Sequence, residues 1–472
     1  MDYERLVTAH RRQKSKIENR NLSEELASDR SRIVYSPPFR RLTKKAQVFS
    51  LEINPAVRNR ITHSLEVADV GRLIAYAITD ELINRKTINS NLQLPIIYAV
   101  ENACLLHDIG NPPFGHFGET AIQTWFKKNW KYCFRKSRGH HISSDLSALM
   151  GDFLQFDGNP QGVRIVLRLQ NVRDKYSLNL TSTTLLSLVK YVRSPSEPED
   201  DGLGKKPGYF NSERKLIEEM KDELGLPSNS RHPLAYIMEA ADDIAYCISD
   251  IEDGIEKGII TASEFFDELD EAWNENGQQG KVFPIGTRPP REDVPDPNMQ
   301  FFYFKTSYTR EAIKRAKNLY LANESGLFNG EITSLFSDST EEGRALKCLK
   351  TVARKKLFRS SEAENPELAG YKVIFGLLDS FKPLLLLPQA RFALLLESRM
   401  NPSSVMRQNL DYEWRLFNKL APKHIDAYKE QIKDYDEWFS RCHLITDFIS
   451  GMTDGYALEL FQLLNGIRLD VI

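Results

Sequence analysis

The sequence predicts a mainly α protein, and three observations carry that prediction. Apolar residues recur at three-to-four-residue spacing along most of the chain, breaker-rich stretches are few, and strand-like runs are short. Helical patterns are expected over residues 63–83 (HSLEVADVGRLIAYAITDELI), 96–107, 118–130, 143–156, 181–192, 232–256, 310–321, 341–358, 368–381 and 427–440. Only Val282–Ile285 and Phe301–Phe304 read as strands, and they sit beside the Gly/Pro-rich stretch NENGQQGKVFPIGTRPPREDVPDPN, which must be loop. A small β-ribbon or an irregular insertion is expected there. A second breaker-rich run, RSPSEPEDDGLGKKPG, covers residues 193–208. Because site candidates lie on both sides of it, this loop reads as an excursion from one domain. The expected organisation is an N-terminal region over 1–260 containing the site, an insertion with loop and short strands over 261–340, and a C-terminal helical region over 341–472 packing on the same domain.

With 472 residues the chain is long enough for a large core or for two to three domains. Hydrophobic residues make up 41% and charged residues 27%, which is the balance of a folded globular protein and excludes a disordered one. Sixty-three Lys plus Arg against 65 Asp plus Glu leave a net charge of -2, so any phosphate must be bound by local patches. The start, MDYERLVTAHRRQKSKIENR, lacks the apolar segment of a signal peptide, and no later run approaches a membrane span, so a cytoplasmic protein without membrane contact is expected. The five cysteines are widely spaced with no C-x-x-C pair, and read as buried or free thiols.

The chemistry concentrates in a few residues. His63, the adjacent pair His107-Asp108, and Asp242 combine imidazole with carboxylate, a donor set for a divalent ion. Any one of them alone reads more readily as a satisfied core residue or a cap than as a ligand. What distinguishes them is context: His107-Asp108 ends the apolar run AVENACLL and is followed at once by IGNPPFGHFGE, whose Gly and Pro residues break the helix and turn the backbone beside the pair. If a helix begins near Gly115, His116 and Glu119 share a face, as a proton-transfer pair requires. A Glu there also favours the helix dipole, and both roles can hold together. In EAADDIAYCISDIEDGI, Asp242, Tyr246 and Asp250 step about 40° apart around a helix, a polar stripe interleaved with Ala241, Ile244, Ala245 and Ile248. It reads as the wall of a buried site or, alternatively, as a solvated face. The run WFKKNWKYCFRKSRGHH at 125–141 mixes basic and aromatic residues, which fits either single-stranded nucleic acid or an amphipathic helix with its aromatics in the core. His140 and His141, at its end, read as surface loop.

The pattern H63…H107-D108…D242 resembles the H…HD…D signature of the HD superfamily, and HDIGNPPFGHFGE is similar nearly throughout to the matching segment of bacterial dGTP triphosphohydrolases. Further family-like segments are SDRSRIVYSPPFRRLTKKAQVF, RNRITHSLEV, FDGNPQGVRI, KKPGYFNSE, EAADDIAY and DFISGMTDGYAL, which together span nearly the whole chain. The resemblance implies an HD-domain helical fold and metal-dependent hydrolysis of dGTP, or of other dNTPs, to deoxynucleoside and inorganic triphosphate by attack at the α-phosphorus. It implies a divalent ion (Mg, Mn or another transition metal) on His63, His107, Asp108 and Asp242, with His116 and Glu119 as the catalytic pair. His116 would act as general acid/base or as the immediate partner of the reacting phosphate. Arg60 matches a phosphate contact, Gln47 and Val48 match a segment against the deoxyribose and base, and Tyr246 and Asp250 match residues around the sugar. Asn159, Lys190, Tyr191 and Lys206 match further substrate-pocket positions. Val192, Pro160 and Ala46 depart from the family pattern and bear on nucleotide preference. The resemblance also implies a homo-oligomer, a hexamer in some members, that responds to single-stranded DNA. The competing readings are another HD-type nucleotide phosphohydrolase or phosphodiesterase, and a single-stranded-DNA-binding regulatory protein.

Overall fold

The protein, described by a computed structural model over residues 1–170, 176–279, 281–397 and 409–467, is built from helices, and its described residues contain isolated β-bridges but no strand. The main helices are α1 (Arg60–Asn84), α2 (Gln93–Leu106), α3 (Gly115–Arg138), α4 (Gly158–Arg168), α5 (Pro233–Glu256), α6 (Pro297–Ala322), α7 (Glu341–Lys356), α8 (Ser361–Leu386), α9 (Pro422–Gln431), α10 (Glu437–Ser450) and α11 (Asp454–Leu464). No single described helix is long and apolar enough to cross a membrane.

Two apolar clusters hold these helices. The first gathers α1, α2, α5, α6 and α7 through residues such as Val67, Ile74, Val100, Leu105, Ile244 and Leu349, all essentially without solvent contact. Gly71 lets α1 and α2 approach closely, since a Cβ there would lie 2.6 Å from Cys104 Sγ. The second gathers α3, α8, α10 and α11 around Trp125, Phe126, Phe381 and Trp438. Each such side chain contributes about 1.5–3 kcal/mol on burial. The chain passes between the clusters more than once, first between Ile109, in the first, and Phe114, in the second. The buried Arg164 of α4 reaches across to α10 and grips both carboxylate oxygens of Asp447, at 2.9 Å through Nε and 2.8 Å through Nη2.

Four expectations need correction. Phe301–Phe304 lie inside α6, not in a strand; Asp296 accepts from the Asn298 amide at 3.0 Å, Pro297 occupies the first turn, and the buried residues Phe301, Phe304, Tyr308, Ala312, Ala316 and Tyr320 keep helical spacing. Val282–Ile285 form no strand either, so the insertion is irregular rather than a ribbon. The pattern over 427–440 is two helices: the chain breaks after Gln431, and Asp436 restarts it by accepting from the amides of Trp438 (2.8 Å) and Phe439 (3.1 Å). The pattern over 143–156 likewise divides, into Ser144–Leu149 and Gly151–Leu154. All five cysteines are buried free thiols.

Candidate metal centre and nucleotide cavity

Asn59 caps α1 by accepting from the amides of Ile61 and Thr62, both at 3.1 Å, and so fixes Arg60 and His63 on one face of its first turn. His107 and Asp108 follow the last residue of α2. The next turn is held against α4 by Gly110: a Cβ there would lie 2.0 Å from the Gly158 carbonyl oxygen and 2.1 Å from the Gly162 nitrogen, a distance only glycine permits. The turn ends at Phe114, a buried non-glycine residue in the left-handed region (φ 60°), and α3 begins with Gly115.

These elements bring the four donors together. His63 Nε2 lies 3.2 Å from Asp242 Oδ1, and His107 Nε2 lies 3.6 Å from that same oxygen and 3.7 Å from Asp108 Oδ1. Ligand atoms of His63, His107 and Asp108 all fall within 4.8 Å of one another; Asp242 stands outside that tightest trio but faces both imidazoles. The His107 Nδ1–H donates to the Cys104 carbonyl at 2.7 Å, which fixes the ring and leaves Nε2 as a lone pair. That Nε2 is buried with no hydrogen-bond partner. An orphaned imidazole nitrogen facing two carboxylates fits a divalent cation and is otherwise costly. Outer partners orient the acids: Arg60 pairs with Asp108 Oδ2, and the Asn111 amide donates to Asp108 Oδ1 at 2.5 Å. Burial opposes ionisation of Asp108, but Arg60, His107 and His63 hold its carboxyl at about 2. Burial likewise opposes ionisation of Asp242, and His107, His63 and Lys190 overcome it and hold its carboxyl well below the usual range.

Beside the donors opens a cavity of about 810 Å³, within the size range of ligand sites. The sequence-predicted residues Gln47, Val48, Arg60, His116, Glu119, Asn159, Lys190, Tyr191, Lys206 and Tyr246 all line it. Asp250 does not. It lies one turn beyond Tyr246, fully buried, with both carboxylate oxygens unpartnered, and burial pushes its carboxyl up to about 8. His116 Nδ1 bonds Glu119 Oε2 at 2.8 Å, and Glu119 Oε1 accepts from the Gly158 amide at 2.8 Å, so the buried carboxylate is pinned from both sides. The Glu119 hydrogen bond raises the His116 imidazole above its ordinary value. Lys206 pairs with Asp157 at 2.9 Å and Lys190 with Glu239 at 3.4 Å.

Several cavity residues carry no signal in the sequence. Lys350 of α7, paired with Asp243 at 2.6 Å, reaches the cavity, as do Phe358 and, from α8, Glu364, Glu367 and Leu368. Ordinary surface-helix patterns conceal them, because only tertiary packing turns those faces inward. In the 125–141 run, Trp130 and Phe134 are buried in the second apolar cluster while Tyr132 is exposed, and His140 and His141 are exposed away from the cavity.

Comparison with known proteins gives two findings. The HD domain family model matches residues 60–246, the interval from Arg60 to the cavity residue Tyr246. Over 514 aligned residues, covering 99% of each chain, the protein is 36% identical to the deoxyguanosinetriphosphate triphosphohydrolase of Enterobacter sp. (strain 638). It is 37% identical over 517 residues, again 99% of each chain, to the enzyme of that name from Cronobacter sakazakii (strain ATCC BAA-894).

Proposed function

The chain belongs to the family of HD-domain deoxyguanosinetriphosphate triphosphohydrolases, and from that premise we propose that it hydrolyses dGTP to deoxyguanosine and inorganic triphosphate. The observation that carries the reading is the orphaned His107 Nε2 facing Asp108 and Asp242 at the edge of a cavity that also holds the His116–Glu119 pair.

His63, His107, Asp108 and Asp242 would hold a divalent ion. Bound there, such an ion supplies Lewis-acid polarisation of a phosphate and a more acidic water. The protein's own residues do the rest. Arg60, Lys190 and Lys206 balance the charge of the triphosphate, which a protein of net charge -2 cannot do from a distance. Water attacks the α-phosphorus and releases a proton to solvent, from which His116 is later reprotonated; the Pα–O5′ bond breaks and its electron pair leaves with O5′. His116, whose protonated form the Glu119 hydrogen bond favours, delivers its proton to that oxygen, so deoxyguanosine departs neutral and triphosphate remains. Gln47, Val48 and Tyr246 enclose the sugar and base. Glu364 and Glu367 offer acceptors that suit the adjacent N1–H and amino donors of guanine, an edge adenine lacks.

We also propose that single-stranded DNA lies along the outer face of α3, where Tyr132 is 51% exposed with Lys136 5.9 Å from its ring centroid, and that copies of the chain assemble through the exposed Leu65, Leu73 and Tyr76 of α1. The test is to incubate the purified protein with each dNTP and with GTP in Mg or Mn, with and without single-stranded DNA, and to resolve products by ion-exchange chromatography. His116→Ala and Asp242→Ala run alongside. Triphosphate and deoxyguanosine from dGTP, lost in both variants, support the reading; pyrophosphate or monophosphate refutes it.

A further inference from the structure

We propose that Asp454, 340 residues beyond Phe114 in the chain, is a positioning residue that ties the turn carrying His116 to the segment lining the nucleotide cavity. The inference rests on the triphosphohydrolase reading for its kinetic consequence, though not for the tie itself. Asp454 is 3% exposed and stands on the first turn of α11. Its Oδ1 accepts from the Phe114 amide at 3.1 Å and its Oδ2 from the Ala46 amide at 3.0 Å. Phe114 is the left-handed residue directly before α3, two positions ahead of His116; Ala46 directly precedes Gln47 and Val48. One carboxylate therefore holds two loops that share no covalent neighbourhood.

The same two loops are fastened a second time by a group of opposite chemistry. Lys45, buried, donates from Nζ to the carbonyl of Asn111 and, at 3.0 Å, to that of Ser450. Burial together with the repulsion of Arg41 lowers the Lys45 ammonium to about 7, so the lysine is held by carbonyls rather than by a dominant ion pair. The turn between α10 and α11 thus presents a carbonyl to the lysine and a carboxylate to two amides. Arg60 joins the same network, donating its amide to the Lys45 carbonyl at 3.1 Å. Buried amides at a left-handed residue and at a loop edge need acceptors, and among the described residues the side chain that serves both is Asp454. Asparagine cannot replace the carboxylate: it offers one acceptor oxygen, and its amino group meets the second amide donor to donor. Asp454 does not itself line the cavity, but both residues it holds, Ala46 and Phe114, do.

The experiment uses the full chain carrying Asp454→Asn, measured for dGTP turnover, Mn binding and amide hydrogen exchange. The expected result is a kcat lowered about 100-fold, as a displacement of about 1 Å in a reacting group produces. Mn affinity should stay within about threefold, because none of the four donors is touched. Peptides containing Ala46 and Phe114 should exchange at least about tenfold faster while those of α10 keep the wild-type rate. In a His116→Ala background the same substitution should cost nothing further, since the residue acts through His116. Unchanged exchange at both peptides, or losses that multiply in the double variant, would overturn the proposal. Should the wild-type protein release no triphosphate, the functional reading falls while the exchange comparison still decides the tie. Should Asp454→Asn fail to fold, Ala46→Pro removes only the donor to Oδ2; Lys45 is already extended (φ -116°, ψ 130°), as a residue before proline must be. Faster exchange over 46–50 with kcat down about tenfold then supports the tie, and wild-type values refute it.

Discussion

Replacing Glu119 by Gln tests the proton donor more sharply than removing His116. The glutamine keeps an oxygen for the Gly158 amide, now at 2.8 Å from Oε1, but presents an amino group where Oε2 accepted from His116 Nδ1 at 2.8 Å. The imidazole must then carry its proton on Nε2 in the neutral form and loses the carboxylate that stabilises its cation. A hydrogen bond to a charged group is worth about 1.5–3 kcal/mol, which at about 1.4 kcal/mol per decade corresponds to a loss of roughly 10- to 150-fold. The pH dependence gives the sign. Glu119 raises the His116 value, so the protonated acid persists to higher pH in the wild type, and kcat falls as pH rises through that raised value. In Glu119→Gln the falling limb should move down toward the ordinary imidazole value of about 6.5. The deficit should therefore be largest near pH 8 and shrink toward pH 6. The assay is triphosphate release from saturating dGTP across pH 5.5–9 by ion-exchange chromatography. Parallel wild-type and variant profiles would refute the assignment of His116 as acid and of Glu119 as the group that sustains it.

Three further outcomes are expected. Asp242→Asn should abolish Mn binding in calorimetry and remove the rise in melting temperature that Mn gives the wild type, about 2.7 kcal/mol at a hundredfold excess over Kd; an undiminished rise would place the ion elsewhere. Gly110→Ala should destabilise the protein by more than about 3 kcal/mol in denaturant titrations, because its Cβ would meet backbone atoms of Gly158 and Gly162 at 2.0 and 2.1 Å, neither of which can rotate away; a loss below about 1 kcal/mol would contradict the close approach. Glu367→Gln, alone and with Glu364→Gln, should narrow the ratio of kcat/KM for dGTP over dATP by at least about tenfold, and an unchanged ratio would remove these carboxylates from base selection.

The helical class was legible because buried positions recur at helical spacing wherever a helix packs on one side, as along α1 and α5. Where the pattern misled, local chemistry overruled it: the aromatic run at 301–304 is too short for its period to show, and Asp436 restarts a helix inside what reads as one continuous stripe. The donors were legible because breakers beside His107-Asp108 reveal a turn in the chain. His116 and Glu119 were legible from their three-residue spacing once α3 was placed. Asp250 shares the face of Asp242 and Tyr246, but helical phase gives an angle and not a depth, and it ends behind the wall. Lys350, Glu367 and Asp454 could not be read at all, since what they face is set by distant parts of the chain: Lys350 pairs 107 residues away, and Asp454 340 and 408 residues away.

The first passage of the chain from one apolar cluster to the other, between Ile109 and Phe114, leaves the proposed ion donors and the proposed acid on opposite banks. His63 and Asp242 ride on helices of the first cluster and His107 directly follows one; His116 and Glu119 ride on α3, whose buried residues belong to the second. Injury should therefore be sortable by address. A void opened around Trp438 or Phe381, far from any reacting atom, would loosen the acid and leave ion affinity whole, whereas one opened around Ile244 or Val67 would degrade both. Among inactive variants, retention of the ion becomes a compass that tells which half of the molecule was hurt.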